Sequence, residues 1–96
     1  MKVLSWNCRG MGSKAKEEAM KDLIRISQPD NLMIQETNME KEAFIQVSGN
    51  FWKKRGLVVS SRGSSIGIGT LWDDQKFELI ETKHCLHWIL TKLLCK

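Results

Sequence analysis

Two polar residues, Asn7 and Glu36, each close a short apolar run of the chain. If both runs are parallel strands of one sheet, their carboxyl ends meet at one edge, where ligands of open α/β sheets bind. An amide oxygen and a carboxylate held together there are hard oxygen ligands of the kind that Mg²⁺ takes, with waters that phosphate oxygens displace. Such an ion would polarise a phosphate and stabilise a leaving oxygen. The same residue types also fit a simpler arrangement, in which Asn7 caps a loop and Glu36 is a solvated charge.

Basic side chains form a second candidate surface. The densest basic run occupies three consecutive positions, Lys53, Lys54 and Arg55. In a nuclease these residues would follow DNA phosphates, each contact adding salt-dependent affinity, although such a run is also typical of a solvated loop. Arg9 is the better-placed phosphate contact, because it lies two positions after the predicted metal ligand Asn7.

The remaining chemistry-bearing residues are predicted to be structural. His84 and His87 lie three positions apart in a strand-like segment, so they face opposite sides and cannot jointly hold one ion. Asp73 and Asp74 have the residue types of a turn. Cys8 has no partner base that the sequence identifies, and we therefore predict a structural cysteine and no catalytic thiol.

The elements that position Asn7 and Glu36 can be predicted from local patterns. Residues 3–6 and 32–34 are short apolar runs typical of buried strands. Between them, apolar residues recur at helical spacing after Ser13, a good N-cap, and Pro29 ends the helix because the residue before proline avoids the helical region. Strand, helix and strand within about 35 residues form a βαβ unit with parallel strands.

The rest of the chain is predicted to be mainly β. Residues 40–47 have the pattern of a short helix, and segments 56–61, 67–73, 77–83 and 88–94 that of strands separated by turns. The sheet would thus begin with parallel strands and continue as an antiparallel meander. This is an α+β layered design whose sheet needs cover on its other face.

Composition narrows the class of protein. The 96 residues allow one domain, and no apolar run approaches the roughly 20 residues of a membrane span. The start lacks the apolar region of a signal peptide, and the three cysteines lack metal-ligand spacing, so we expect reduced thiols in an intracellular protein with no membrane partner. The net charge of +4 favours a polyanionic partner without identifying it.

Three motifs give the chain a resemblance to a known family. Residues 5–12, Ser-Trp-Asn-Cys-Arg-Gly-Met-Gly, resemble the opening motif of the endonuclease/exonuclease/phosphatase superfamily, in the version found in plant LINE-type (non-LTR) retrotransposons. Residues 29–37, ending in Gln-Glu-Thr, resemble its second motif. Residues 64–73 are similar to the Gly-rich strand that ends in Leu-Trp-Asp in those elements. The motifs are short, but they follow one another in the right order and the resemblance extends over essentially the whole chain.

The resemblance implies a fold, a reaction and a site. The fold would be the N-terminal portion of a two-sheet, DNase I-like α/β sandwich, with residues 1–96 as one partial domain. The reaction would be Mg²⁺-dependent phosphodiester hydrolysis, with DNA as the partner that the retrotransposon enzymes nick. Asn7 and Glu36 match the asparagine and glutamate that help to bind the catalytic Mg²⁺. A DNA partner also extends the expected intracellular location to the nucleus.

The chain also departs from the family pattern. The later Asn-x-Tyr, Gly-Asp-x-Asn and Ser-Asp-His motifs are absent from these 96 residues, which include no tyrosine, and Ile66 stands where related elements tend to have glycine. The absent residues include the water-activating aspartate and the histidine at the scissile phosphate, so no catalytic residue is predicted. The expected protein is a remnant truncated on its C-terminal side and catalytically inactive alone.

Two other functions stay open. One is a non-catalytic nucleic-acid-binding fragment, based on the charge and the basic run. The other is a phosphodiesterase for a small phosphoester or a phospholipid head group, which the Trp-Asn-Cys-Arg-Gly motif disfavours. In either case an incomplete sandwich would leave an apolar face and strand edges uncovered, so we expect a poorly soluble or molten chain.

Overall fold

Parallel pairing begins the fold, as predicted. A computed structural model describes residues 1–54, 56–61, 67–85 and 87–96. Strand β1 (Val3–Asn7) pairs in parallel with strand β2 (Asn31–Gln35), and helix α1 (Lys14–Ser27) connects them. Because Asn7 lies opposite Gln35 in the register, the two strands end side by side.

Helix α1 begins and ends at the predicted signals. The Ser13 hydroxyl accepts a hydrogen bond from the backbone N–H of Lys16 at 3.2 Å, a cap of a kind that stabilises a helix by about 1 kcal/mol. At the other end Gln28 adopts a left-handed conformation, with φ of 47°, and its N–H donates to the Ile24 carbonyl. Pro29 follows and prevents continuation of the helix.

Two antiparallel strands complete the first sheet. Helix α2 (Lys41–Ser48) is followed by β3 (Gly56–Ser61) and β4 (Gly67–Trp72), and the strand order is β1-β2-β4-β3. Strand β4, not β3, therefore lies beside β2, and it is antiparallel to both neighbours. Two predictions lie outside the described residues: the DNA contact of Arg55 and the turn that Ile66 would disturb.

The final hairpin forms a sheet of its own. Strands β5 (Phe77–Cys85) and β6 (Trp88–Cys95) pair only with each other among the described residues, so the predicted meander is divided between two sheets. The turn before β5 is organised by Asp73, whose carboxylate accepts the Gln75 N–H at 3.0 Å and whose carbonyl accepts the Phe77 N–H at 3.0 Å. The turn function predicted for Asp73 is confirmed.

The core lies between the two helices and one face of the first sheet. Leu32 and Ile34 of β2 and Leu71 of β4 share this face and are fully buried. Met20 from α1 and Phe44 from α2 are the fully buried side chains that the helices contribute. Burial of side chains of this size stabilises a fold by about 1.5–3 kcal/mol each, which holds both helices on the sheet.

The other face of the sheet is covered unevenly. Thr70 and Trp72 of β4 are buried, whereas Val3, Ser5 and Asn7 of β1, which the register puts on the same face, are exposed. The hairpin lies against β3 and β4. This face of the sheet is therefore open to solvent along β1, including at Asn7.

Apolar side chains are exposed on the hairpin. Trp88, Leu90 and Leu94 of β6 are 50–55% exposed, and Ile80 of β5 is 48% exposed. Within the part of the chain that the structure describes, no helix is long and apolar enough to cross a membrane.

Candidate functional site

The two segments that follow β1 and β2 remain paired beyond the strands. Three backbone hydrogen bonds join them: Cys8 N–H to Gln35 O (3.1 Å), Gly10 N–H to Glu36 O (2.7 Å) and Met11 N–H to Thr37 O (2.9 Å). We call these bonds the loop ladder. Because they continue the parallel pairing, the spacing between the Asn7 and Glu36 backbones is fixed on both sides.

Left-handed backbone conformations are concentrated in the loop ladder and directly beside it. Arg9, Glu36 and Asn38 have φ of 51–54°, and Gly10 has φ of 104°. A non-glycine residue in this region costs roughly 1–2 kcal/mol, so these conformations persist only where surrounding bonds enforce them. Residues held in such conformations cluster at active sites and ligand-binding segments.

Asn7 and Glu36 are brought into contact at this edge. The Asn7 Nδ2 group donates a hydrogen bond to Oε2 of Glu36, and both residues are exposed. This bond does not use Asn7 Oδ1 or Glu36 Oε1, the other side-chain oxygen atoms of the pair. One position back along β2, Gln35 Nε2 donates to Ser5 Oγ at 3.1 Å, which extends the polar contacts along the two strands.

Thr37 connects this edge to β4. Its backbone N–H donates to the Gly67 carbonyl at 3.0 Å, and its side chain is 1% exposed. Among the described residues, its hydroxyl has no hydrogen-bond partner. Thr37 belongs to the Gln-Glu-Thr motif, and its burial explains how that motif holds Glu36 against the sheet.

Lys16 is a cation near the site that the sequence did not indicate. Its Nζ donates to the Cys8 carbonyl and lies 5.7 Å from the centroid of the Trp6 ring. The first turn of α1 thus carries a positive charge to the segment after Asn7. The sequence shows only that Lys16 lies three residues after the Ser13 cap. A lysine at such a position is usually solvated, so its contact with the Cys8 carbonyl could not be predicted.

Cys8 has the structural role predicted for it. The residue is 1% exposed, and its thiol donates to the carbonyls of Gln35 (3.4 Å) and Glu36 (3.5 Å). Burial raises the pKa of the Cys8 thiol and outweighs the opposing effects of a Gly10 backbone hydrogen bond and of Lys16. A thiol in this state is a poor nucleophile and instead packs the inner side of the loop ladder.

The predicted phosphate-contacting residues lie at different ends of the sheet. Arg9 is exposed within the loop ladder, beside Asn7. Lys53 and Lys54 precede β3. One residue of β4 pairs with the first residue of β3 and with the first residue of β2, so the two lysines lie at the end of the sheet where β2 begins. The length of β2, roughly 16 Å, separates that end from Glu36.

The two lysines are engaged where they lie. Lys53 Nζ donates to the Gly49 carbonyl at 3.0 Å. Lys54 Nζ lies 3.3 Å from a carboxylate oxygen of Asp73 and 5.2 Å from the centroid of the Trp52 ring. They therefore form a surface distinct from the Asn7–Glu36 edge.

Acidic, histidine and cysteine side chains do not assemble into a larger metal centre in the described ranges. No group of three or more of them is placed to hold an ion there. His84 and His87 are both exposed, at the end of β5 and in the turn after it.

Comparison with known proteins establishes the fold. No protein-family profile and no curated protein sequence matches the chain. The structure is similar to two crystal structures of TDP2 from Caenorhabditis elegans, one of them of the selenomethionine protein, with TM-scores of 0.60 and 0.61 and 19% sequence identity. The matches cover 85% and 86% of this chain and 25% of the TDP2 chain, so this chain spans about a quarter of the length of those proteins. The two helices, the mixed sheet and the antiparallel hairpin thus form part of a DNase I-like fold, and the predicted fold class is confirmed.

Proposed function

We propose that this chain is the metal-binding N-terminal part of a Mg²⁺-dependent phosphodiesterase domain, of the endonuclease type carried by plant LINE-type retrotransposons. The contact between Asn7 and Glu36 at the carboxyl ends of paired parallel strands is the observation that carries the proposal. The DNase I-like fold supports it, and the three sequence motifs support the retrotransposon branch over a phosphodiesterase of small phosphoesters. DNA is the proposed partner, and the nucleus the proposed place of action.

The donor set fits Mg²⁺. This ion takes one or two protein carboxylates and retains several waters, which one carboxylate and one amide oxygen allow. Asn7 Oδ1 and the Glu36 carboxylate would hold it, and the bound ion would supply charge stabilisation for a phosphate and its leaving oxygen. The hydrogen bond from the Asn7 amide to the Glu36 carboxylate keeps the two side chains together.

The surrounding residues would act on the phosphodiester by position and charge. The loop ladder keeps the two ligands at a fixed spacing, which reduces the reorganisation needed on binding. Arg9 and Lys16 place positive charge on the same loop, where it attracts a phosphate. Cys8 and Thr37, both buried, give this edge a rigid floor.

We further propose that these 96 residues do not turn over substrate by themselves. The family residues that activate water and contact the scissile phosphate have no counterpart in this sequence, and removal of such groups costs orders of magnitude in rate. Metal binding and catalysis are therefore expected to be separable properties of this chain.

Metal binding is best tested without an activity readout. Mn²⁺ titrated into the isotopically labelled chain should broaden the backbone NMR signals around residues 7 and 36, and excess Mg²⁺ should restore them. Glu36→Gln should abolish the effect, whereas Glu42→Gln, an exposed glutamate of α2, should leave it unchanged. Broadening that survives Glu36→Gln would contradict the proposed ligand pair.

A plasmid-nicking assay tests the second part of the proposal. Supercoiled plasmid incubated with the chain and Mg²⁺ should relax no faster than in buffer alone. Metal-dependent nicking that disappears in Glu36→Ala would overturn the proposed inactivity while supporting the phosphodiesterase assignment. Nicking that persists in Glu36→Ala would indicate a contaminating nuclease.

A further inference from the structure

A cleft of about 400 Å³ lies at the end of the sheet opposite Asn7 and Glu36. It is bounded by the C-terminal end of α1, the segment between α2 and β3, and the turn between β4 and β5. Four cationic side chains and one carboxylate line it: Arg25, Lys53, Lys54, Lys76 and Asp30. The side chains that line this cleft therefore carry more positive than negative charge.

Two of the lysines are fixed at the cleft by carboxylates. Lys76 Nζ lies 2.9 Å from Asp30 Oδ1, and Asp30 Oδ2 accepts the backbone N–H of Lys2 at 2.9 Å. Lys54 Nζ lies 3.3 Å from Asp73, which is buried. These pairs neutralise much of the two lysines' charge, but they also fix the direction of both side chains before any ligand arrives.

Arg25 and Lys53 are the cations whose charge is least compensated. The partner of Lys53 is the carbonyl of Gly49, which carries no net charge. Arg25 lies 3.4 Å from Asp22, but both side chains are about 70% exposed, and such surface pairs contribute little. Arg25 also stands in the last turn of α1, where it offsets the negative end of the helix dipole that would otherwise repel an anion.

The apolar wall of the cleft indicates which part of a ligand is recognised. Phe51 and Trp52 are only 7% and 5% exposed, and the Trp52 indole N–H already donates to the Trp72 carbonyl at 3.2 Å. Neither ring presents a free face on which a nucleobase could stack. Recognition here must therefore depend on charge and on the guanidinium and ammonium donors.

We propose that this cleft binds the phosphate group of a phosphate ester, with Arg25 and Lys53 as direct contacts and Lys54 and Lys76 as fixed supporting charges. The guanidinium group suits a phosphate because its donors match two phosphate oxygens at once. The phosphate could belong to a nucleic-acid backbone or to a free phosphate monoester. The site is independent of the Asn7–Glu36 edge and of the function proposed for it.

The test is fluorescence anisotropy of a short labelled DNA duplex with the full chain. The double variant Arg25→Gln/Lys53→Gln should weaken binding by about tenfold. It should also reduce the slope of log K against log salt by about 1–2, since each phosphate that a side chain neutralises contributes about one unit. The matched control is Lys83→Gln/Lys92→Gln, which removes the same charge from the exposed hairpin. Because that change weakens only diffuse attraction, it should alter the affinity by less than about threefold. Equal weakening in both double variants would overturn the proposal.

Competition experiments identify the source of the phosphate. Displacement of the duplex by millimolar inorganic phosphate would assign the site to a free phosphate monoester, and displacement only by unlabelled DNA would assign it to the nucleic-acid backbone. An oligoglutamate that binds as tightly and is weakened equally by Arg25→Gln/Lys53→Gln would overturn the phosphate assignment in favour of an acidic peptide.

One further variant and one buffer condition keep the result interpretable. Arg25→Lys/Lys53→Arg preserves the charge and should retain most of the affinity, and equal thermal denaturation of all variants would exclude misfolding as the cause of weaker binding. All binding measurements are made with EDTA present, so that a metal ion at the Asn7–Glu36 edge does not contribute to duplex binding. Failure of this proposal is thereby distinguishable from failure of the metal site.

Discussion

Thr37 and Gly67 are in contact in a way that permits no side chain at position 67. The Thr37 N–H donates to the Gly67 carbonyl at 3.0 Å, and a Cβ built on Gly67 would overlap the Thr37 hydroxyl. Because Thr37 is buried directly after Glu36, this contact attaches the loop ladder to β4. The fit of one glycine thus supports the geometry of the candidate site.

Gly67→Ala should destabilise the chain by about 2 kcal/mol, the usual range of overpacking in a closed contact. The measurement is the free energy of unfolding in urea. Gly12→Ala is the matched control, since a Cβ at Gly12 meets nothing within 4 Å, and it should be neutral or slightly stabilising. Equal effects of the two substitutions would show that the Thr37 contact is not tight.

The stability of the chain should depend on pH through Asp30. The backbone N–H of Lys2 and then the Lys76 ammonium hold the pKa of the Asp30 carboxyl below its usual value. A carboxyl whose pKa is lower in the folded state stabilises the fold above its unfolded pKa, about 3.9, and that contribution is lost as the pH falls through the folded pKa. Stability should therefore decrease between about pH 5 and the folded pKa of Asp30.

Asp30→Asn should flatten this acid limb, as measured by urea unfolding at a series of pH values. Asp22→Asn is the control, because Asp22 belongs to an exposed ion pair on α1 and its removal should leave the limb largely unchanged. An acid limb that is the same in Asp30→Asn and in the original chain would contradict the assignment.

The three thiols should differ in reactivity. Cys85 and Cys95 are exposed, whereas Cys8 is buried and its burial raises the pKa of the thiol. Iodoacetamide at about pH 8 should therefore modify Cys85 and Cys95 readily and Cys8 only after denaturant is added, as followed by mass spectrometry. Rapid modification of Cys8 in the folded chain would mean that the loop ladder opens often.

The hairpin should promote self-association. Trp88, Leu90 and Leu94 expose half of their surface or more on one strand of a two-stranded sheet, a structure that is marginal on its own. We expect the isolated chain to bind a hydrophobic dye and to sediment as a concentration-dependent mixture, and Leu90→Lys/Leu94→Lys to reduce both effects. A sharp thermal transition without dye binding in the original chain would contradict this expectation.

Local sequence patterns predict the bounds of α1 but not the order of the strands. Ser13 and Pro29 act on the few residues around them, so the bounds of α1 follow from residue type alone. The position of β4 beside β2 does not, because it depends on close packing between distant segments. At Gly69 a Cβ would lie 2.5 Å from Cε2 of Phe44, a fit between β4 and α2 that no local pattern contains.

The candidate site, too, could be predicted from the sequence only in part. Asn7 and Glu36 could be paired from the sequence because parallel strands align their carboxyl ends. The loop ladder could not be predicted, since backbone bonds have no residue signature and Arg9 and Glu36 are not residue types that favour a left-handed conformation as glycine does. Lys16 was missed for a similar reason, because its partner is a carbonyl and not an acidic side chain.

The loop ladder separates the shape of this edge from the side chains that it carries. Its three hydrogen bonds join main-chain atoms only. The donors are N–H groups between Cys8 and Met11, and the acceptors are carbonyls between Gln35 and Thr37. Substitutions by residues that can adopt the same dihedral angles should therefore leave the loop ladder intact while they change the side chains of the candidate site. A variant that lacks the side chain of Asn7 or Glu36 should therefore keep the shape of this edge while it loses a proposed metal ligand.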